Sequence, residues 1–483
     1  MSRSREGSVR ADFGTGFRRG RPPGVLPRPA SETRPGRAGD GSPGKAPTTP
    51  SWTYPMTLEQ ESIWLDDQHG DGPSHHLESL ALELRGHVDR QAAASAVARI
   101  VARHEALRSR FVLDGGHLLQ VVLPPRNVPE MAHHTCSPEQ AEAKLHELAR
   151  RPIDLAASPM RATLLETSPE AMILCVQFHR IVADDRAVRT FAREFAEHYR
   201  ACVEHRPLRS APPPMQPGPY AIRQRSTPRD PAALTYWLDN LRGLSPGTAT
   251  TIPPTVEPGT PPRCDRVAFT LDPALVESLR AACGRLNTTP LVLFAATTAL
   301  LLHAAGGARD VIVGTPVSHR GSADRDQMIA PLTRLLPLRL RLAPGQSYAD
   351  LVRQTKRKVH EALVHRNVTQ HDFVRFVLRS RSGALRLCRT LIVVDEPEQS
   401  RIDLPGVTAR RLRVGPGPSW ADLCFTFVVD GGEHLGFLDY AAHLFSATTA
   451  RHLAETFRTL LTSSLGELRG AGRPPVDQTR AGT

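Results

Sequence analysis

The stretch FHRIVADD, Phe178 to Asp185, decides how the rest of the chain is read. It follows the apolar run AMILCVQ and precedes RAVRTFAREFAEHYR. MILCVQF is a short unbroken apolar segment, which predicts a buried strand. After it, Val188, Phe191, Phe195 and Tyr199 recur at helical spacing. That predicts a helix with Asp184 or Asp185 as its N-cap. One histidine, one arginine and two acids therefore sit where a strand hands over to a helix. Such a junction is a reaction centre, an altered one, or an ordinary surface turn.

Bulk properties narrow the choice. The chain has 483 residues, which at ordinary domain size predicts about two to four domains. Its net charge is +12, but residues 1–50 hold ten Arg/Lys against four Asp/Glu, so 10 − 4 gives half of that charge. The remainder is only mildly basic and has no basic stripe interleaved with aromatics, so no nucleic-acid partner is expected. The seven cysteines are odd in number and form no CxxC, which fits small core residues of a reducing, cytoplasmic compartment. The N-terminus has no apolar segment of signal-peptide type. The longest apolar run, PLVLFAATTALLLHAAGG from Pro290, is broken by His303 and falls short of the roughly 20 residues that cross a bilayer. It reads as a buried helix opened by its proline, and no membrane association is expected.

Composition divides the chain. Residues 1–50, with nine Gly and eight Pro, read as a disordered Arg/Pro/Gly-rich tail. Two Pro-rich zones, RSAPPPMQPGP and SPGTATTIPPTVEPGTPPR, separate a front lobe at 52–215 from a back lobe at 263–468. The linker at 216–262 carries one short helix, PAALTYWLDNLRGL, and 469–483 read as a loose tail. Both lobes mix strands and helices. LALELRG alternates as a strand, DRQAAASAVARIVARHEALR has a helical period, and SRFVLDGGHLLQVVL reads as a hairpin. DVIVGTPVS and LIVVDE predict strands, and FTFVVDGGEHLGFLDY a second hairpin. The expected fold class is α/β, of the two-layer α+β kind, in two related lobes.

With these segments in place the chain resembles the condensation-domain family of nonribosomal peptide synthetases, from about Thr57 to about Leu465. The resemblance is carried in order by LEQESIWLDDQ at 58–68, with Gln60 and Trp64, and by RHEALRSRF at 103–111. IDLAASPMRATLL at 153–165, VIVGTPVSHR at 311–320, HDFVRFV at 371–377 and ADLCFTF at 421–427 continue it. It implies two chloramphenicol-acetyltransferase-like lobes forming a V-shaped pseudo-dimer with a central tunnel. Carrier-protein thioesters enter such a tunnel on phosphopantetheine arms. The central family motif is HHxxxDG, and HRIVADD stands in its place. His179 matches the first histidine and Asp184 the aspartate. Arg180 replaces the second histidine, the catalytic or amine-positioning residue of active members, and Asp185 replaces the glycine. In TRLLPLR, Arg334 stands where the family usually has asparagine near the tunnel.

The chemistry of the change is direct. Histidine, with a pKa of about 6.5, can cycle a proton near neutrality; arginine, at about 12.5 or above, cannot act as a general base. A general base contributes roughly 10²–10⁴ in rate. The pattern His-Arg-x-x-x-Asp-Asp resembles the X-domain of glycopeptide antibiotic synthetases, a condensation-like domain without condensation activity that recruits haem-thiolate monooxygenases to a carrier-bound peptide. The resemblance implies a protein of peptide natural-product assembly, without confidently assigned catalytic residues; an X-domain sits inside a multimodular synthetase, whereas this chain reads as free-standing and monomeric, a departure from that pattern. Its expected partners are a peptidyl or acyl carrier protein and a haem-thiolate monooxygenase or another synthetase subunit. The phosphopantetheine arm belongs to the carrier; the chain itself is expected to hold no cofactor and no metal. The alternative is an active acyltransferase that forms an amide or ester from a carrier-bound thioester.

Plainer roles stand beside these. His179 reads as a hydrogen-bonded histidine packing the motif loop. Arg180 has an ion pair with Asp185 or another acid as its bland role, against tunnel lining or substrate contact; Arg334 is the second tunnel-lining candidate. Asp184 is expected to pair with Arg320, which the family's architecture implies. Asp185 reads as a helix cap and Arg186 as solvated. Arg103, Glu105 and Arg108 are expected to tie their helix to the sheet. The pairs His75-His76 and His133-His134 lack accompanying ligands, and no GxSxG or triad order supports a hydrolase.

Overall fold

The structure is a computed structural model that describes residues 51–69, 77–126, 129–207, 214–244, 252–260, 263–373, 387–395, 401–412, 421–430 and 433–470. The expectations for residues 1–50, for His75-His76, for about half of the second Pro-rich zone, for the end of HDFVRFV and for 471–483 lie outside them.

In chain order the strands are β1 Trp52–Pro55, β2 Leu77–Gly86, β3 Ser109–Asp114, β4 His117–Val122, β5 Ala132–Thr135, β6 Met160–Ser168, β7 Ala171–His179, β8 Cys264–Thr270, β9 Asp310–Ser318, β10 Thr333–Arg341, β11 Thr390–Asp395, β12 Arg401–Leu404, β13 Val407–Leu412, β14 Leu423–Asp430 and β15 Glu433–Ala441. The longer helices are α1 Leu58–His69, α2 Arg90–Arg103, α3 Pro138–Arg150, α4 Asp185–Val203, α5 Pro217–Ser226, α6 Pro231–Asn240, α7 Pro273–Leu286, α8 Pro290–Gly306, α9 Tyr348–Val364 and α10 Ala447–Gly470. They build two open six-stranded sheets, ordered β12-β13-β2-β7-β6-β5 and β10-β9-β11-β14-β15-β8, with a smaller sheet β1-β4-β3.

Each large sheet has its own core. The first buries Leu80, Leu82 and Leu84 of β2 with Leu174 and Val176 of β7 beneath α2 and α4. Its other face takes Leu145 and Leu148 of α3. The alternation works because residues opposite one another in an antiparallel pair share a face; Leu80 faces Val176 and Leu82 faces Leu174. The second core gathers α6 to α10 over their sheet. Phe294 of α8 stacks on Phe427 of β14 at 3.9 Å, and Phe457 of α10 lies 5.1 Å from the same ring. α8 is apolar nearly all round because it is enclosed nearly all round. No single helix among the described residues is long and apolar enough to cross a membrane.

Two features of the chain's path depart from its sequence order. Residues 401–412 leave the back half and complete the first sheet, with β13 antiparallel to β2 and Val407 opposite Gly86. Gly86 has φ +121°, and a Cβ there would fall 2.5 Å from the Gly406 carbonyl oxygen. Only glycine lets the crossover strand sit that close. Sheet membership therefore does not follow the expected ranges 52–215 and 263–468. The second departure is α5, in a stretch whose prolines and glycines suggested a spacer. Pro217 opens this helix, and Gly218 is small because the Tyr54 ring of β1 lies against it; a Cβ would meet that ring at 2.5 Å.

Candidate functional site

FHRIVADD closes the first sheet and opens α4. β7 runs to His179, Val182 N donates to the His179 carbonyl at 2.9 Å, and Ile181, Val182 and Ala183 are all buried. α1 holds the turn from one side: Gln60 Nε2 donates to the Ile181 carbonyl at 3.2 Å. Asp67, seven residues on and so on the same helix face, places Oδ1 3.6 Å from His179 Nε2.

His179 is wholly buried. Its Nδ1 accepts the Ile181 amide proton at 3.2 Å. In the neutral ring this puts the proton on Nε2, the nitrogen that faces Asp67. The lone pair that a general base needs is thus spent on the loop's own backbone.

Arg180 turns back along the sheet, and Nη1 donates to Glu78 Oε1 at 2.9 Å. Glu78 stands opposite Phe178, two residues from Arg180, so the two side chains meet diagonally on one face. Between Arg180's two expected kinds of acid, Asp185 and another, the structure pairs it with Glu78. The Glu78 carboxyl is pushed up to about 7, first by burial and then by Asp185 and Asp184; Arg180 and Arg411 act in the opposite direction. The position after the first histidine thus holds an arginine, and the carboxyl raised towards neutrality by burial stands on the neighbouring strand.

Asp184 is the most heavily bonded group of the motif. One oxygen caps α4 through Ala187 N at 2.9 Å and takes Arg320 Nη2 at 2.6 Å. The other accepts from Leu332 N at 2.9 Å and Thr333 Oγ1 at 3.0 Å. Arg320 also donates to the carbonyls of Arg325, Met328 and Ala330 at 3.0, 2.6 and 3.2 Å. Both partners are buried. The pair fastens the start of α4 to the loop between β9 and β10, and so to the second sheet.

Asp185 was expected to cap α4; Asp184 does so, because its extended backbone at φ −100°, ψ 176° lays its carboxylate over the first turn. Asp185 is the first helical residue and pairs with Arg189, one turn on, at 2.7 Å. Arg186, expected to be solvated, is half-exposed and lies 3.2 Å from Asp326. Arg334 is buried, with Nε and Nη2 both on Glu59 Oε1 at 3.1 and 2.9 Å. The other Glu59 oxygen takes Gln224 Nε2 of α5 at 2.7 Å. His319 nearby is pushed down to about 3 by burial and by Arg334, Arg325 and Arg366, and is neutral.

The RHEALR segment joins α2 to α4 as well as to the sheet. His104 Nε2 is 2.8 Å from Glu194 Oε2, Arg103 is 3.5 Å from the same carboxylate, and Arg108 donates to the Leu123 carbonyl. His133 meets Glu166 at 3.1 Å. Among the described residues no group of three or more His, Cys, Asp or Glu is placed to hold a metal ion.

Three residues of the site escaped the sequence reading: Glu59, Asp67 and Glu78. A signal existed for each. Glu59 and Asp67 belong to the segment singled out for Gln60 and Trp64, and Glu78 is the one acid in the inward row Glu78, Leu80, Leu82, Leu84.

This fold and this strand-to-helix centre define a condensation domain. The condensation-domain family model matches residues 51–469, and the chain belongs to that family. It is 27% identical over 447 residues to phosphinothricin tripeptide synthetase PhsC of Streptomyces viridochromogenes, covering 87% of this chain and 40% of PhsC. The chain thus spans well under half of that multidomain-length relative. The X-domain from teicoplanin biosynthesis superposes with a TM-score of 0.77 at 26% identity, covering 86% of this chain and 95% of the X-domain. The X-domain in its complex with OxyB from the same biosynthesis gives 0.77 and 26%, covering 90% and 97%.

Two outcomes follow from the site. Removing one member of the buried Asp184–Arg320 pair strands the other, so Asp184→Ala lowers stability by about 3–5 kcal/mol, read by urea denaturation. The double change Asp184→Ala/Arg320→Met costs less than the sum of the two single ones. The second outcome concerns pH. The folded-state pKa of Glu78 lies above its unfolded value, so its contribution favours the fold at low pH and is lost as pH rises through about 7. Glu78→Gln therefore gains melting temperature relative to the natural protein between about pH 5 and about pH 8, while His319, which acts in the opposite direction, is common to both proteins and cancels from the comparison.

Proposed function

We propose that this chain is a condensation-domain scaffold that binds a peptide tethered to a carrier protein and presents it to a partner enzyme without forming an amide bond itself. The observation that carries the reading is the state of the two motif positions that would manage a proton. Arg180 is a cation paired with Glu78, and His179 has Nδ1 committed to Ile181 N. Amide formation from a thioester needs an amine with a free lone pair, and a base in reach is worth roughly 10²–10⁴ in rate.

The remaining parts suit binding. The family's tunnel admits a phosphopantetheine arm supplied by the carrier, so no cofactor of the chain's own enters this reading. Arg180 and Arg334 are proposed to line that tunnel, one on each side of the motif, and Asp184–Arg320 to set its frame. The likeness to an X-domain, one solved with OxyB, supports a haem-thiolate monooxygenase as the partner. The protein acts in this reading as a cytoplasmic monomer in the assembly of a peptide secondary metabolite.

Active acyl transfer has one observation in its favour. Glu78, with its carboxyl at about 7, has the proton affinity that deprotonation of an amine asks for. Its bond to Arg180 at the motif weighs against that use.

The test is calorimetric titration of the full chain with a carrier protein loaded with a peptide on its phosphopantetheine arm, and with a haem-thiolate monooxygenase of the OxyB kind. Saturable binding of the loaded carrier or of the monooxygenase is the expected result. Absence of binding to both overturns the reading.

A further inference from the structure

The first turns of α4 carry charges that the cap does not use. Asp185 Oδ2 receives Arg189 Nε at 2.9 Å and Nη2 at 2.7 Å. The same Nη2 reaches Asp395 Oδ1 at 2.5 Å. Asp395 is the last residue of β11, a strand interior to the second sheet, whereas α4 packs on the first. The three charges thus form a chain from one sheet's helix to the other sheet's strand end. Arg189 and Asp395 are each about one quarter exposed, while Asp185 is about half exposed.

We propose that Asp185 is a positioning residue for an inter-sheet clamp, in which it holds the Arg189 fork so that the guanidinium engages Asp395. Three physical points support this. Arginine's planar fork can serve two carboxylates at fixed geometry, which a lysine ammonium cannot. An acid four residues before an arginine on a helix is in the favourable order, and an acid in the first turn also meets the positive end of the helix dipole. A preordered arginine loses less side-chain freedom when it takes a second partner, so Asp185 strengthens a bond that it does not itself make.

Other ties run alongside. Arg186 meets Asp326 at 3.2 Å, and Asp184 meets Arg320. Residues 184 and 186 reach the loop between β9 and β10, and Arg189 reaches the end of β11. The clamp fixes the distance between the two sheets beside the motif. It goes beyond the proposed binding role and holds whether or not a carrier or an oxygenase binds.

The test is hydrogen exchange of the full chain, followed by mass spectrometry on peptides that cover 387–395 and the first two turns of α4. Asp395→Asn and Arg189→Gln each raise exchange at both sites by roughly fivefold, the scale of one partly buried charge contact. Asp185→Ala raises it by a smaller factor. Asp185→Ala adds little on top of Asp395→Asn, because Asp185 works through the bond that is already gone. The natural protein also loses protection between low and about 1 M salt, and Asp395→Asn loses less, the remaining dependence being that of the exposed Arg186–Asp326 pair. Unchanged exchange in Asp395→Asn, or full additivity of the two acid replacements, overturns the proposal. Arg189→Lys, which keeps the charge and loses the fork, falls between the natural protein and Arg189→Gln and controls for misfolding.

Discussion

A buried carboxylate that four donors satisfy is the point on which this structure turns. Asp184 caps α4, takes the Arg320 guanidinium, and accepts from the Leu332 amide and the Thr333 hydroxyl. A lone buried charge is costly, and a pair is tolerable only when its remaining hydrogen-bonding capacity is met. Asp184 meets that condition with both oxygens bonded, and Arg320 nearly so: Nη1 and Nη2 gather three backbone carbonyls of its loop as well as Asp184, while Nε has no partner. The consequence is geometric. The start of α4, the end of β9 and the start of β10 cannot move independently, and the motif turn is built between them.

That frame explains how the reaction centre can change without the fold changing. A cation introduced beside a buried strand end needs a counter-charge, and Glu78 supplies it to Arg180. Arg334 has Glu59, and Asp185 has Arg189. Each departure from the family motif is thus neutralised by a partner inside the same chain. Arginine replaces a residue that can take up a proton near neutrality, while burial, which outweighs the opposing pull of Arg180, pushes the neighbouring Glu78 carboxyl up to about 7.

Much of this was legible in the sequence, for reasons that differ by element. β7 and α4 could be read because burial imposes an apolar run on one and a 3.6-residue period on the other. The two hairpins and α8 could be read from turn residues and a leading proline. α5 could not, since prolines 212–214 and Gly218 mimic a spacer; Gly218 is small because Tyr54 packs on it. The crossover of 401–412 into the first sheet was equally hidden, as strand pairing across more than three hundred residues leaves no local mark. Within the site, His179, Arg180, Asp184 and Asp185 were visible from the motif. The partners Glu59, Asp67 and Glu78 were not, because the sequence places a charge on a strand or a helix face without saying what will come to lie opposite it.

The central claim is that this condensation domain has kept its architecture and given up histidine-based amide formation. An assay of the purified chain with donor and acceptor thioesters on their carrier proteins, read by mass spectrometry of the acceptor, tests it most directly. The account predicts no new amide or ester above the background reaction for the natural protein, at any pH from about 6 to about 9. Steady turnover that Arg180→Ala or Glu78→Gln abolishes would contradict it, and would make the arginine and its carboxylate partner the working groups of an active enzyme.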